Sequence, residues 1–258
     1  QLPVKRVGEW RKQLRRVTRA LGGARDKDVQ IKYVRDFLSG MEEKDLRPGV
    51  RRLLLRLKQR RERRQAKVVK VMERLKKSRS LDEMEGHLAA VRAGGRDKAG
   101  PPPGSITLRA RAEISGRLEE MLGWEIYLGQ PGRAKELHRM RIAAKHLRYT
   151  MEIFNPAYAG GLEGWIKAVK NVQDLLGNIH DCDVWAQCLP EFIEEETRLA
   201  AKYLGHDRGM ARLRPGIDAL RKDRARHRRR RYMKLTAFWR RKREEGFWGI
   251  LVKTLDEA

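Results

Sequence analysis

Cysteine and long apolar runs are both scarce in this sequence of 258 residues. The only cysteines are Cys182 and Cys188, and they do not form a C-x-x-C pair. Two such residues exclude the disulfide framework of a small secreted domain and argue against a structural zinc site, so they favour a reducing compartment. No apolar run approaches the roughly 20 residues of a membrane-spanning helix. We therefore expect a cytoplasmic protein without a membrane partner.

Acidic residues are few beside the basic ones. Lys and Arg number 60 against 34 Asp and Glu, which leaves a formal net charge of +26 at neutral pH. Cations in this excess repel one another in a compact state, so a polyanionic partner is the natural explanation. Hydrophobic residues, at 40%, still suffice for a sizeable core in one large domain or two small ones.

The signatures of common enzyme classes are missing as well. The sequence contains no Walker G-x-x-x-x-G-K-[ST], no nucleophile elbow and no H-E-x-x-H. The E-x-E-x-K signature of one class of triphosphatases is also missing, because Glu83-Met84-Glu85 is followed by Gly86-His87. Four consecutive residues at a helix start, as in His180-Asp181-Cys182-Asp183, spread over all faces of the helix and do not converge on a metal. We predict no enzymatic activity, no cofactor and no metal site.

Helix-forming residues dominate, and no segment shows the alternation of a strand, so the predicted fold is all-α. The periodic segments lie at 9–21, 27–39, 47–79, 105–128, 133–154, 162–176, 183–203, 211–243 and 247–256. Glycine and proline predict breaks between or within them, including Gly22-Gly23 and Pro215-Gly216. The clearest linker is the Gly/Pro-rich segment 94–104, which separates a first half, 1–93, from a second half, 105–258.

The two halves resemble each other. A shift of 155 positions superposes 10–38 on 165–193 without a gap. The matched pairs are Trp10 and Trp165, Lys12 and Lys167, Val17 and Val172, Leu21-Gly22 and Leu176-Gly177, Asp26 and Asp181, Asp28-Val29 and Asp183-Val184, and Phe37 and Phe192. A duplicated helical half-domain, packed about a pseudo-two-fold axis, is the simplest account.

The motif shared by the halves reads L-G-x-x-[RH]-D-x-D-V and has two interpretations. In the first, the glycine ends one helix in a left-handed conformation, and Asp26 or Asp181 caps the next one. Asp28 or Asp183 then lies near the positive end of that second helix. In the second interpretation, the aspartates also orient nearby basic side chains.

The helix predicted at 133–154 carries two parallel stripes. The apolar stripe has spacings typical of a packed face. Its members are Leu137, Met140, Ala144, Leu147, Met151 and Phe154. The second stripe is displaced by one residue, about 100° around the helix, and contains His138, Arg141, Lys145 and Arg148. No acid falls within these four positions to relieve their repulsion, so a bridging anion is expected.

Two further helices carry basic ladders. One face of the second half contains Arg224, Arg228, Arg231 and Lys234. A shift of 167 positions relates it to a ladder of the first half, formed by Arg60 or Arg61, Arg64 and Lys67. Arginine suits bidentate phosphate contacts, whereas lysine acts as a point charge.

Together these motifs closely resemble the CHAD family, the conserved histidine α-helical domains. The residues that carry the resemblance are His138-x-x-Arg141-x-x-x-Lys145-x-Leu147-Arg148-Tyr149 and Leu176-Gly177-x-x-His180-Asp181-x-Asp183-Val184. The resemblance covers essentially the whole chain. It implies two four-helix-bundle halves related by a pseudo-two-fold axis, around a basic central channel that binds inorganic polyphosphate. It also implies an association with polyphosphate granules.

The resemblance implies ligand contacts at His138, Arg141, Lys145 and Arg148, with weaker candidates at Lys12, Lys167 and the two arginine ladders. An anion beside His138 favours its charged form, so we expect tighter binding at lower pH. The shift of 155 places the first-half counterpart of His138 about 17 residues before Gln1. We therefore expect that the first H-x-x-R helix lies outside this sequence.

Non-specific binding of RNA or DNA is the alternative function, because phosphate contacts dominate affinity for any such polymer. The spacing of Trp10, Trp165, Trp185 and Trp239 is that of helix-core residues and not of platforms for stacking bases. We therefore expect nucleic acid to bind only weakly or non-specifically. The sequence does not identify a protein partner.

Overall fold

The computed structural model of the protein describes residues 4–94 and 105–257. Within these residues the chain forms eight α-helices and no strand, which confirms the all-α prediction. The helices are α1 Val4–Ser39, α2 Arg47–Lys77, α3 Ser80–Gly94, α4 Ser105–Leu122, α5 Ala134–Phe154, α6 Glu163–Leu204, α7 Met210–Glu244 and α8 Phe247–Glu257. None of these described helices is both long and apolar enough to cross a membrane. The predicted linker 94–104 lies, apart from Gly94, outside the described residues.

Several helices are longer than the sequence pattern indicates. The segments predicted at 9–21 and 27–39 form the single helix α1, and those at 162–176 and 183–203 form α6. Glycine in a helix interior weakens the helix by about 1 kcal/mol relative to alanine but does not end it. The glycines that adopt a left-handed φ are instead Gly160, Gly205 and Gly246, in the turns between helices. The breaks predicted at Gly22-Gly23 and at Pro215-Gly216 are therefore wrong, because α1 and α7 continue through them.

The capping interpretation of the repeated motif fails for the same reason. Asp26 and Asp181 lie in the interiors of α1 and α6, far from either N-terminus, and so they cap no helix. Conversely, α3 begins directly after a left-handed residue, Arg79, with a φ of 51°. Because arginine rarely adopts this conformation, the sequence pattern did not predict α3 as a separate helix.

The helices gather into two compact units. The first unit contains α1, α2 and α3 together with Phe192–Leu220, and the second contains α4, α5, α8 and the remaining parts of α6 and α7. The halves predicted from the sequence are 1–93 and 105–258. The compact units differ from them, because Phe192–Leu220 packs with the first unit. α6 and α7 are thus long enough to contribute to both units.

The core of the second unit confirms the apolar stripe predicted on α5. Leu137, Met140, Ala144, Leu147 and Met151 are all buried, and Phe154 packs against them. They meet buried residues of α4, α6, α7 and α8 in one continuous cluster. Burial of this stripe fixes the rotation of α5 about its axis and so determines where its basic stripe lies.

In the first unit α1 and α2 pack antiparallel, and α3 packs against the start of α1. Trp10 is buried against α3, with its indole Nε1 3.4 Å from Glu83 Oε2 and its ring 5.4 Å from that of His87. In the second unit Trp165 packs in the same way on α8, donating to the carbonyl oxygen of Phe247 at 3.4 Å. Both tryptophans are packing residues, as predicted.

The matched apolar positions differ in how well they are covered. Leu21 of α1 is 47% exposed, whereas its counterpart in α6, Leu176, is 1% exposed and belongs to the core with α5. The same contrast separates Leu88 of α3, exposed, from Leu255 of α8, buried. In the second unit α4 and α5 belong to the cluster that buries these positions, and no described helix does the same in the first unit.

A close crossing inside the first unit involves matched glycines. Arg47-Pro48-Gly49 at the start of α2 matches Arg214-Pro215-Gly216 near the start of α7 at the shift of 167. A Cβ on Gly49 would lie 2.0 Å from the Leu213 carbonyl oxygen, and a Cβ on Gly216 would lie 1.9 Å from that of Leu46. Leu46 and Leu213 are themselves matched at the same shift, so the contact is reciprocal.

We expect Gly49→Ala and Gly216→Ala each to lower the free energy of unfolding by about 1–3 kcal/mol, because the added methyl group meets backbone and not a movable side chain. Gly22→Ala is the matched control, since nothing lies within 4 Å of a Cβ there. That variant should be neutral or stabilise α1 by up to about 1 kcal/mol. Urea unfolding followed by circular dichroism measures all three. Equal effects at Gly22 and Gly49 would contradict the close crossing.

We also expect Leu176→Ala to cost about 2–5 kcal/mol of unfolding free energy, because it leaves a cavity in a closed core. Leu21→Ala, at the matching position, should cost no more than about 1 kcal/mol, because half of that side chain already contacts water. The same unfolding measurement compares them. Similar losses for both variants would show that Leu21 is covered in solution.

Candidate anion-binding site

The predicted ligand helix α5 places His138 and Arg141 against α6. The His138 ring lies on the ring of His180, with centroids 4.0 Å apart and planes tilted by 32°. A Cβ on Gly177 would lie 3.4 Å from Arg141 Nε, an ordinary van der Waals distance, so the guanidinium packs directly beside the glycine of the repeated motif. The two residues therefore lie at a helix interface and not on an open face.

Two nitrogens at this interface are buried without a hydrogen-bond partner among the described residues. They are His138 Nδ1 and Arg141 Nε. A buried polar atom left unpaired costs about 1–3 kcal/mol, and more when it carries charge. Such atoms are uncommon in native proteins and are expected where a ligand or water completes the site. Both belong to residues that the family resemblance implies as ligand contacts.

The protonation of His138 is set by the same surroundings. Burial lowers its pKa below the ordinary value of 6.5, and the nearby His180 and Arg141 lower it further. The imidazole is therefore neutral at pH 7 in the absence of an anion, and one of its two nitrogens is a donor.

The other two members of the basic stripe have different surroundings. Arg148 donates to Gln173 Oε1 at 3.0 Å and to Glu152 Oε1 at 2.9 Å, and its Cζ lies 4.4 Å from the Tyr149 ring centroid. Glu152 continues the stripe by one more turn, so the expectation that the stripe lacks acids holds only as far as Arg148. Lys145 is exposed, with Nζ 5.7 Å from the Tyr149 ring. Arg148 is thus held in place, and Lys145 is the accessible cation.

α7 also contacts α6 through its basic ladder. Arg224, Arg228 and Arg231 are half-buried, and Lys234 is exposed. Arg228 donates from Nε to Asp183 Oδ1 at 2.6 Å and from Nη2 to the Pro131 carbonyl oxygen at 2.8 Å. α6 therefore carries, one turn apart, the partners of both neighbours: His180 for α5 and Asp183 for α7.

A histidine that the sequence analysis did not single out lies on the α7 ladder. Arg231 Nε donates to His227 Nε2 at 3.2 Å. Burial lowers the pKa of His227, and the cations of Arg224 and Arg231 lower it further. His227 is the acceptor in this bond, so it is neutral there. Its position one turn before Arg231 was the only signal available in the sequence.

The first unit contains the matching ladder on α2. Arg61 donates from Nε to Asp28 Oδ1 at 2.8 Å and from Nη1 to Gln65 Oε1 at 2.8 Å. Arg60 instead pairs with Glu195. Arg64 lies against Gly23, where a Cβ would be 2.4 Å from its Nη1. The remaining candidates, Lys67 and Lys12 in this unit and Lys167 in the second, are exposed.

These contacts support the second interpretation of the repeated motif. Asp28 and Asp183, its second aspartates, each pair with an arginine of the neighbouring long helix. Both pairs join the same two atoms, arginine Nε and aspartate Oδ1. The aspartates therefore orient basic side chains, and they do so from helix interiors.

Cys182, the buried cysteine in the repeated motif, has an unreactive thiol. Burial raises the pKa of Cys182 to about 11, so its thiol stays protonated at neutral pH. Within residues 4–94 and 105–257 no group of three or more His, Cys, Asp and Glu side chains is arranged to hold a metal ion.

The fold and the site together describe an all-α, strongly basic protein whose cations converge at the interfaces of long helices. The CHAD domain family matches the chain over residues 1–190, and the chain belongs to that family. The resemblance drawn from the H-x-x-R helix and the repeated motif is thereby confirmed. No curated protein and no solved structure is significantly similar to the chain.

We expect the low pKa of His138 to make stability depend on pH. The folded state binds fewer protons at this residue than the unfolded state, where the pKa is about 6.5. Its contribution to stability is therefore complete above that pH and is lost as the pH falls toward the folded-state pKa. Between pH of about 7.5 and 5.5 the wild type should lose more unfolding free energy than His138→Gln, as measured by urea unfolding at each pH. Parallel curves for the two proteins would contradict this assignment.

Proposed function

We propose that this CHAD-family protein binds inorganic polyphosphate, with α5 and α7 supplying the contacts in the second unit. The observation that carries the proposal is the pair of buried nitrogens, His138 Nδ1 and Arg141 Nε, without a partner among the described residues. Phosphate oxygens accept from Arg141 Nε in a charge-assisted bond, and they accept from His138 Nδ1 when that nitrogen carries a proton. An anion here raises the lowered pKa of His138, so binding is coupled to the uptake of a proton and tightens as the pH falls.

A linear polymer of phosphates fits the layout of these cations better than a single phosphate. His138, Arg141 and Lys145 follow one edge of α5 over about 10 Å, at a rise of about 1.5 Å per residue. A chain with a negative charge on each unit contacts all of them at once, whereas one phosphate reaches only part of the edge. Each added contact releases counterions, so affinity grows with the number of cations engaged.

The arginine ladders extend the proposed contacts to the rest of the chain. Arg224, Arg228, Arg231 and Lys234 on α7, and Arg61, Arg64 and Lys67 on α2, are the proposed ladder ligands, with Lys12 and Lys167 as outlying ones. The pseudo-two-fold repeat and the basic central channel implied by the family resemblance are part of this proposal. The repeated ion pairs of Asp28 and Asp183 and the reciprocal glycine contacts support the repeat.

Nucleic acid remains the alternative polyanion, and the tryptophans argue against it. A protein that binds single strands stacks bases on exposed aromatic rings. Trp10, Trp165, Trp185 and Trp239 are instead buried or packed against neighbouring helices. We propose that RNA and DNA bind weakly and without specificity, through phosphate contacts alone.

We propose further that the protein binds its ligand without transforming it and needs no cofactor. The absence of the common catalytic signatures from the sequence and the protonated state of Cys182 support this. The proposed location is the cytoplasm, at polyphosphate granules, as the family resemblance implies.

A competition titration tests the proposed function. Labelled long-chain polyphosphate is bound to the protein at about 0.15 M salt and challenged with single-stranded RNA in charge excess. We expect polyphosphate to stay bound, because the half-buried donors admit a slim phosphate chain and exclude sugars and bases. Displacement charge for charge would show that the cations form an open surface and would favour nucleic-acid binding.

A matched pair of variants on α5 locates the binding site in the same assay. Arg141→Gln should weaken polyphosphate binding by about 10- to 100-fold, because it removes a charge-assisted bond. Arg139→Gln removes the same charge from an exposed position outside the basic stripe, where the guanidinium lies over Trp124. It should weaken binding only a few-fold. Equal losses would place the site elsewhere.

A further inference from the structure

The second aspartate of the repeated motif has a role that anion binding by itself does not explain. An acid beside a proposed anion site repels the ligand, yet Asp28 and Asp183 each lie against a ladder arginine. The two pairs are related by different shifts, 155 for the aspartates and 167 for the arginines. Two separate stretches of each half therefore preserve the same contact.

The ion pair joins the same atoms in both units, whereas the second bond of each arginine uses a different Nη nitrogen. Arg61 Nε lies 2.8 Å from Asp28 Oδ1, and Arg228 Nε lies 2.6 Å from Asp183 Oδ1. A second bond completes each arrangement, from Arg61 Nη1 to Gln65 and from Arg228 Nη2 to Pro131. One Nη nitrogen of each arginine then has no hydrogen-bond partner in the described part of the chain. A planar guanidinium held at two nitrogens has a fixed direction for the third.

The environment of Asp183 shows that the pair is not a casual surface contact. Its side chain is 15% exposed, and its Oδ2 is buried without a hydrogen bond to any described residue. Taking a carboxylate out of water costs free energy, which an ion pair with a nearby arginine offsets only in part. Helix capping does not account for it either, because Asp183 lies in the interior of α6. Among the described residues its side chain pairs with Arg228, whereas the matching Asp28 pairs with Arg61 at a more exposed position.

The Pro131 bond ties this arginine to the candidate site. Pro131 lies in the turn that leads into α5, seven residues before His138. Arg228 is thus fixed between α6 and the start of the helix that carries the buried nitrogens. A guanidinium oriented in advance loses less side-chain freedom when a ligand arrives, which strengthens binding.

From this geometry we infer that Asp28 and Asp183 are positioning residues: they hold Arg61 and Arg228 by the Nε edge and leave one Nη nitrogen to donate to polyphosphate. The inference deepens the proposed function and rests on it. It assigns the D-x-D part of the repeated motif to binding, through the arginines, and gives the aspartates no direct contact with the ligand.

The sign of a mutation separates positioning from simple electrostatics. Removing a carboxylate raises the net positive charge, so electrostatics alone predicts tighter binding of a polyanion. Loss of positioning predicts the opposite, because the freed arginine must be ordered again when the ligand binds. The added positive charge should therefore raise the affinity, whereas the loss of arginine orientation should lower it.

The experiment titrates the whole protein with long-chain polyphosphate at several salt concentrations. We expect Asp28→Ala and Asp183→Ala each to weaken binding by about 3- to 10-fold and to lower the salt slope by about 1. Asp28→Asn and Asp183→Asn keep an acceptor oxygen in place and should bind within about 3-fold of the wild type. Circular dichroism and thermal unfolding show whether each variant is folded. If an alanine variant does not fold, the two asparagine variants are compared with the wild type instead.

A control variant removes one carboxylate that does not contact the arginines of the α2 or α7 ladder. Asp36 pairs with exposed Lys32 on α1, so Asp36→Ala should bind as tightly as the wild type or more tightly. If the wild type binds and the folded alanine variants bind equally or more tightly, the positioning role is overturned and the proposed function stands. If the asparagine variants weaken binding as much as the alanine ones, the acceptor oxygen is not what positions the arginines. A wild type that does not bind polyphosphate overturns the proposed function itself.

Discussion

Repulsion among cations is the constraint that organises this molecule. With a net charge of +26, the helices can pack only where apolar residues separate the basic stripes or where an acid lies between them. The acids inside the units are placed accordingly. Glu196 lies between Arg52 and Arg56; burial would raise its pKa, but the two hydrogen bonds outweigh burial and hold the pKa below its ordinary value. Asp28 and Asp183 each pair with one arginine.

The continuity of α6 turns this electrostatic arrangement into a site. Because the helix runs through Gly177 without a break, that glycine, His180 and Asp183 follow one another along one side. Arg141 packs beside Gly177, the His138 ring stacks on His180, and Asp183 pairs with Arg228 of α7. A break at the glycine, as the sequence pattern suggested, would have turned these residues away from one another.

The two units share an ion pair between matched residues yet differ in their surfaces. Matched side chains keep matched partners in the ion pairs of Asp28 with Arg61 and of Asp183 with Arg228, whereas Trp10 and Trp165 contact unmatched groups. They differ where the covering helices differ: Leu176 lies in the closed core with α5, whereas Leu21 lies half exposed. Equivalent sequence thus gives equivalent contacts only where the surroundings are equivalent too.

The sequence by itself determined the helical class, the family and the rotation of α5, because each depends on the local spacing of residues. The apolar stripe from Leu137 to Phe154 was predicted fully, and with it the side of the helix on which the basic stripe lies. Only the tertiary structure decided which cations are held and which are accessible. The partners of Arg228 and of His138 come from other helices, tens of residues away, and the role of His227 depends on burial. No local pattern records such distances, because they arise when the helices pack.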